Sequence, residues 1–376
     1  TTWTDTGLAA GQRYCWQVFG ANGFGWQARS NEACVSLETT EKGWRIEKLA
    51  SGRWPALAID PTGELQVCFA STTGTGISVL RVGAGRTPET LDAAGESQCS
   101  IAVDRSGTLH VAFLSAAGLR HAVRGTDGWS VSTVDAQAFR GGERTDGPAL
   151  ALDPAGVPRI AYRRIAASGG RPVIAIATRS AATTGTWKID PGPVLGRVGP
   201  RALAIAGDGT SRFVTADEVE QLSAVWRRTA AGWPQDITLA PTPTRGDGPP
   251  FVLDPSGAAR FAWWRQVTVG AAAATLVWVA ASGSDWTAET IATDTALGTR
   301  VAVSLAESRP RVASIDATGT VRLHTRGDTA WTLETLSAQG GAAVSVDLSI
   351  EESGQIRRVY DRLAEGSVVL ASRIRE

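Results

Sequence analysis

Arginine and aromatic side chains, rather than histidine, are the groups in this sequence whose spacing suggests chemistry. Arg53, Arg144, Arg197, Arg201, Arg245 and Arg300 each stand shortly before an apolar run, and Arg163, Arg164, Trp263, Trp264, Arg265, Tyr360 and Arg362 close a second kind of run. A guanidinium pairs a carboxylate bidentately and an indole face covers a pyranose ring, so the set suits an acidic or neutral sugar. The candidate ligand-binding residues are therefore Arg144, Arg163, Arg164, Arg197, Arg245, Trp264, Arg265, Arg300, Tyr360 and Arg362. Loop arginines are also the ordinary solvated charge of an Arg-rich, Lys-poor chain, and alternation turns one of Trp263 and Trp264 toward a core. Asp217, Glu218 and Asp361 are the carboxylates in the same neighbourhood that a glycoside hydrolase or polysaccharide lyase would use.

The sequence offers no G-x-S-x-G elbow, H-E-x-x-H, P-loop or calcium loop. His110, His121 and His324 are too few and too scattered for a zinc site or a Ser-His-Asp triad. No catalytic residue, metal or cofactor is assigned on this basis. Two Arg-Gly-Asp triplets, Arg245-Gly246-Asp247 and Arg326-Gly327-Asp328, fall where turns are expected and are read as turn chemistry.

Lys+Arg and Asp+Glu each number 37, giving a formal charge of zero. Nucleic acid is an unfavoured partner, because counterion release needs a basic face. No stretch approaches the roughly 18 apolar residues of a membrane helix, so no membrane insertion is expected. The sequence has neither an initiator Met nor a charged-then-apolar leader, as in a mature product or a piece of something longer.

The candidate residues hang on a repeat. Trp129, Trp187, Trp233, Trp286 and Trp331 recur about every 45 to 58 residues, a period typical of propellers and solenoids. A second marker keeps step: an apolar strand runs into D-x-x-G at Ala56 to Gly63, Ile101 to Gly107, Ala149 to Gly156 and Phe251 to Gly257. Weaker copies lie at Ala204 to Gly209, Val303 to Glu307 and Leu348 to Gly354, which makes seven units. Each continues into a second strand, a third, and a Trp-led fourth, and four short antiparallel strands make a propeller blade. The seventh unit ends without its Trp-led strand, whereas Gly43-Trp44-Arg45-Ile46-Glu47-Lys48-Leu49 has that pattern before the first full unit. The expected architecture is an all-β, seven-bladed propeller over residues 41–376, with residues 43–50 completing the last blade and removing an open edge.

The unit resembles a secreted bacterial propeller repeat with the pattern A-L-D-x-x-G, I-A-Y, W-x-x-E-T-V. It matches at Ala151-Leu152-Asp153, Ile160-Ala161-Tyr162 and Trp286-Thr287-Ala288-Glu289-Thr290-Ile291, and departs at the turns of units four, six and seven. The resemblance covers Gly43 to Glu376 and implies the fold strongly and no common chemistry. Propeller sialidases are superficially similar at Ser284-Asp285-Trp286 and Thr126-Asp127-Gly128-Trp129, and those boxes too speak for fold. Residues 1–40 resemble the second half of a fibronectin type III domain, through Tyr14-Cys15-Trp16-Gln17-Val18, Asn22-Gly23-Phe24-Gly25 and Ser30-Asn31-Glu32-Ala33-Cys34. A whole domain of that class needs about 100 residues, so the missing half is a candidate partner, as is a neighbouring subunit.

The fibronectin-like resemblance implies a cross-strand disulfide between Cys15 and Cys34. Cys68 and Cys99 fit either a second disulfide or two buried thiols. Two disulfides imply an oxidising compartment, hence a secreted or cell-surface protein. The expected function is a non-catalytic recognition or assembly module binding a glycan or protein at the channel mouth. The competing expectation is the carbohydrate-active enzyme using carboxylates on that face.

Overall fold

Each D-x-x-G segment closes on itself by local hydrogen bonds. The Asp60 carboxylate accepts from the Thr62 amide at 2.9 Å, the Thr62 hydroxyl at 2.6 Å and the Glu64 amide at 2.9 Å. Gly63 donates its amide to the Asp60 carbonyl at φ 85°, a backbone region that glycine adopts without a Cβ penalty. Asp104 and Asp254 repeat the arrangement. Burial raises the Asp104 carboxyl, but hydrogen bonds from Ser106 and Thr108 outweigh it and hold the group below its ordinary value.

The computed structural model describes residues 13–373 apart from 18, 23–24, 30–31, 37–38, 42, 74–75, 84–86, 96, 140–146, 166–168, 182–184, 197, 200, 218–221, 240–248, 267–273, 283–284, 295–299, 307–308, 337–341 and 352–353. Seven antiparallel sheets follow one another. Blade 1 is Arg53–Ile59, Leu65–Ala70, Ile77–Arg81 and Glu89–Asp92; blade 2 is Ser100–Val103, Leu109–Ser115, Gly118–Gly125 and Gly128–Asp135. Blade 3 is Ala149–Leu152, Pro158–Arg164, Val173–Arg179 and Trp187–Leu195; blade 4 is Leu203–Ile205, Ser211–Asp217, Leu222–Arg228 and Gln235–Leu239. Blade 5 is Phe251–Leu253, Ala259–Gln266, Ala274–Ser282 and Asp285–Asp294; blade 6 is Val301–Ala306, Arg309–Ile315, Val321–Arg326 and Trp331–Thr335. Blade 7 takes Val346–Ile350, Ile356–Arg362 and Ser367–Arg373 from the far end of the chain and Trp44–Ser51 from the near end, with Thr39–Glu41 added outside. Trp44 pairs with Arg373 and Ile46 with Ala371. The first strands of successive blades touch around the ring, and that of blade 7 touches that of blade 1, so the first strands surround the axis.

A blade is packed on both faces. Leu65–Ala70 and Leu109–Ser115 are accordingly buried at every position instead of alternating. Trp263 packs on one side of blade 5 with Val214 and Val225 of blade 4, and Trp264 on the other with Val303 and Val312 of blade 6. A Trp of one outer strand and a Glu of the neighbouring blade's outer strand latch blades together. Glu89 accepts from Trp129 Nε1 at 2.7 Å and meets Arg124; Glu334 accepts from Trp44 Nε1 at 3.1 Å and Arg373 Nη1 at 2.5 Å. A second periodic pair joins the acid of the turn to an arginine six residues on, in Asp254–Arg260 at 2.7 Å and Glu351–Arg357 at 2.7 Å.

Before the propeller, Arg13–Trp16 pairs with Ala33–Ser36 and Phe19–Asn22 with Gly25–Arg29, as two antiparallel two-stranded sheets. Cys15 lies opposite Cys34 in register and is disulfide-bonded, while the Cys34 side chain lies outside the described residues. Cys68 and Cys99 form a disulfide that ties the lead-in to blade 2 onto the second strand of blade 1. Of the two readings open for that pair, the bonded one holds.

Candidate functional site

Propeller topology gathers two loop sets on two faces. The mouth face carries the loops leading into the first strands and those joining second to third strands, and the turn face carries the D-x-x-G turns. On the mouth face, the lead-ins of blades 7 and 1 meet at Asp361, the penultimate residue of Ile356–Arg362, with Arg300 of blade 6 beside it.

Asp361 has no solvent exposure. Its carboxylate accepts from the amides of Val344 at 3.0 Å, Ser345 at 2.9 Å and Trp54 at 3.2 Å, drawing the lead-ins of blades 7 and 1 to one point. Burial pushes its pKa up, opposed by those three amides and by the Arg300 guanidinium. Trp54 is the one non-glycine residue with positive φ among the described residues, at 52°. It stands before Pro55, where steric conflict already narrows the backbone. Residues held in such conformations persist where their surroundings over-determine them, and they cluster at functional sites. Here the Asp361 bond and a side chain only 9% exposed hold it. Arg300 of blade 6 donates from Nη1 to Gln98 Oε1 at 2.9 Å, and Gln98 is held next to the disulfide-bonded Cys99. The Arg300–Gln98 bond joins blades that are not neighbours and therefore spans the mouth of the channel.

A second bridge lies deeper. Arg201 of the blade 4 lead-in reaches Asp347 Oδ2 in blade 7, at 3.1 Å from Nε and 2.6 Å from Nη2, and Nη2 also donates to the Leu57 carbonyl of blade 1. The other donors to Asp347 are the Leu57 amide at 2.8 Å and the Leu348 amide at 2.9 Å. Below this bridge the channel widens into a cavity of ≈ 1110 Å³ that opens on the turn face.

The remaining candidates are distributed as follows. Arg163 stacks over Phe139 at 4.4 Å from the ring centroid. Arg164 donates from Nε to Asp135 Oδ2 at 2.7 Å, an oxygen that also accepts from Tyr162 at 2.6 Å. Trp264 and Tyr360 are buried, each 4% exposed. Arg265 is half-buried with an unbonded Nε, and Arg362 lies 3.5 Å from Glu365 and over the Tyr360 ring. Arg144, Arg197, Arg245 and Glu218 lie outside the described residues, as does the Asp217 side chain. The first Arg-Gly-Asp triplet is outside them too. Of the ten candidate ligand-binding residues, Arg300 is the one seen at the Asp361 cluster.

Three groups of this architecture escape a reading of the sequence. Gln98 and Asp347 have no counterparts at the blade period, and nothing local marks Trp54 as left-handed. The D-x-x-G arginines were legible in principle, since acid and arginine recur six residues apart.

Histidine is used structurally. His110 Nδ1 and His121 Nε2 are 3.2 Å apart in a stacked, fully buried pair, with Trp187 edge-on to His121 and Arg179 beside it. Burial lowers His110 to about 4, and burial with its two cationic neighbours lowers His121 to about 2. Among the described residues no group of three or more His, Cys, Asp and Glu is arranged to hold a metal.

No protein-family model and no curated protein matches the chain. Solved structures do. The virginiamycin B lyase of Staphylococcus aureus is similar at a TM-score of 0.58 and 12% identity, over 88% of this chain and 98% of that one. A streptogramin B lyase gives 0.54 and 12%, over 88% and 99%. A polysaccharide lyase gives 0.52 and 9%, over 87% and 91%. At such identities the likeness shows the fold alone. It nevertheless overturns the expectation of a non-catalytic module, which rested on this propeller bringing no chemistry with it. These propellers are lyases, and that is the finding that stands against the non-catalytic expectation.

Proposed function

We propose that the propeller is a carbohydrate-active enzyme that cleaves an acidic polysaccharide by elimination at its mouth face. The observation that carries this is the cluster at Asp361, where a fully buried carboxyl, a left-handed Trp54 and the disulfide-anchored Arg300–Gln98 bridge tie together blades 7, 1, 6 and 2. Such over-determined geometry is the kind of support that a preorganised site requires.

A uronate carboxylate placed against Arg300 has its charge neutralised, which acidifies the proton on the carbon alpha to it. A base then removes that proton, the bond to the glycosidic oxygen on the next carbon breaks, and the leaving oxygen takes a proton from an acid. Asp361 is buried, and its oxygens are occupied by backbone amides, so its role is positioning. Asp217, which ends Ser211–Asp217, and Glu218, the next residue in the sequence, are the carboxylates left for proton transfer. Arg144, Arg197 and Arg245 recur before first strands and serve as further contacts to an anionic chain.

We further take the protein to be secreted or surface-borne, which the Cys68–Cys99 disulfide supports. Residues 1–40 are then a fibronectin-like segment preceding the propeller. The test is a panel of acidic polysaccharides incubated with the full chain. Elimination yields an unsaturated uronate that absorbs in the ultraviolet and vanishes in Asp217→Asn with Glu218→Gln. New reducing ends without that absorbance identify hydrolysis instead, and no cleavage of any panel member sinks the proposal.

A further inference from the structure

The cavity on the turn face shares no lining residue with the Asp361 cluster of the mouth face. We infer that it is a second binding site, for a neutral, largely apolar small molecule that presents one carbonyl oxygen.

Its size and the aliphatic part of its walls admit a small molecule with an apolar body. At ≈ 1110 Å³ it lies just above the usual range of small-molecule pockets. Ala58, Ala102, Ala151 and Ala204, from four consecutive blades, line it along with aliphatic residues of the same first strands. Ala58, Ala102 and Ala151 stand two residues before the Asp of the turn and Ala204 at the matching place of its weaker copy, so the repeat itself sets the bore. Their methyl groups leave the space that a larger side chain would fill.

Inside the rim the polar lining is Arg201, an oriented donor, and the Ser349 hydroxyl. Arg201 lines the cavity and its side chain is 40% exposed, while Nε and Nη2 are fixed by Asp347 and the Leu57 carbonyl. Nη1 makes no hydrogen bond among the described residues and is not sealed from solvent. A guanidinium locked on one side offers its remaining N–H groups at little entropic cost. Asp347 already neutralises its charge, so a neutral acceptor suits it better than a second carboxylate. The rim points the same way. Asp60, Asp104 and Glu351 line the opening against Arg105 alone of the opposite sign, so an anion meets net repulsion and a cation would end beside Arg201.

Nile red, neutral and apolar with a single carbonyl, is the probe. The full chain should bind it saturably, one dye per chain, with the fluorescence rise of an apolar site. Ala102→Phe combined with Ala204→Phe should remove that binding in a variant that still unfolds cooperatively, since both alanines also pack against the inter-blade cores. Arg201→Lys keeps the ion pair to Asp347 but loses the fork, and should weaken binding by about tenfold, the value of one hydrogen bond to a charged group. Absence of saturable binding, or binding unchanged in the Ala102→Phe, Ala204→Phe variant, overturns the inference. Should Arg201→Lys fail to fold, the alanine variant still decides. Polysaccharide cleavage is unaffected by either result, so failure here and failure of the mouth-face proposal are distinguishable.

Discussion

Replacing Asp361 separates positioning from chemistry. Its carboxylate satisfies three backbone amides at 2.9 to 3.2 Å in a place without solvent exposure, and an unsatisfied buried donor costs ~1–3 kcal/mol. Asp361→Ala strands all three, and simple addition overstates the loss because the groups share one partner. The expected destabilisation is therefore ~3–5 kcal/mol, the scale for breaking a buried charged interaction. Asp361→Asn behaves differently. Its oxygen still accepts from Val344 and Ser345, its NH₂ faces the Trp54 amide, and it escapes the desolvation that raises the carboxyl's pKa. One stranded donor sets its cost at ~1–3 kcal/mol. Urea unfolding of both variants, followed by tryptophan fluorescence, measures the two losses, and the polysaccharide assay measures activity beside them. Alanine within about 0.5 kcal/mol of the parent would refute the hydrogen-bond argument. Loss of all activity in Asp361→Asn at parental stability would instead make Asp361 a catalytic group.

Cys68→Ala with Cys99→Ala opens a loop with a separation of 31 residues, which on chain-entropy grounds costs ~4 kcal/mol; identical unfolding midpoints with and without reductant in the parent would contradict this. The buried histidines make the propeller acid-sensitive: their folded pKa values lie below the ordinary 6.5, so stability is full above about pH 6.5 and falls as the unfolded chain takes up protons that His110 refuses down to about 4. The slope is up to ~1.4 kcal/mol per pH unit for each histidine, and His110→Gln with His121→Gln should flatten it between pH 6.5 and 5 in urea titrations. Deleting residues through Leu49 removes the buried Trp44 and Ile46 and bares the edge of Ser367–Arg373, so calorimetry should show a lower midpoint and gel filtration association. A monomer of parental midpoint would mean that the closing strand is dispensable.

The sequence alone determined the blades because their signals are local. A D-x-x-G turn closes through hydrogen bonds within five residues, a Trp-led strand announces itself by its neighbours, and counting strands leaves one over at Trp44 and one short after Arg373. The closing pair follows from that count, since an unpaired edge is costly wherever it falls. Side-chain roles were less legible. Alternation predicts one buried tryptophan of Trp263 and Trp264, but blades are sandwiched between blades, so both are buried. Only the tertiary structure decided what crosses the channel. Arg201 meets Asp347 146 residues away, and Arg300 meets Gln98 202 residues away, between blades that are not neighbours. No period links such residues, because ring closure, not the repeat, brings them together.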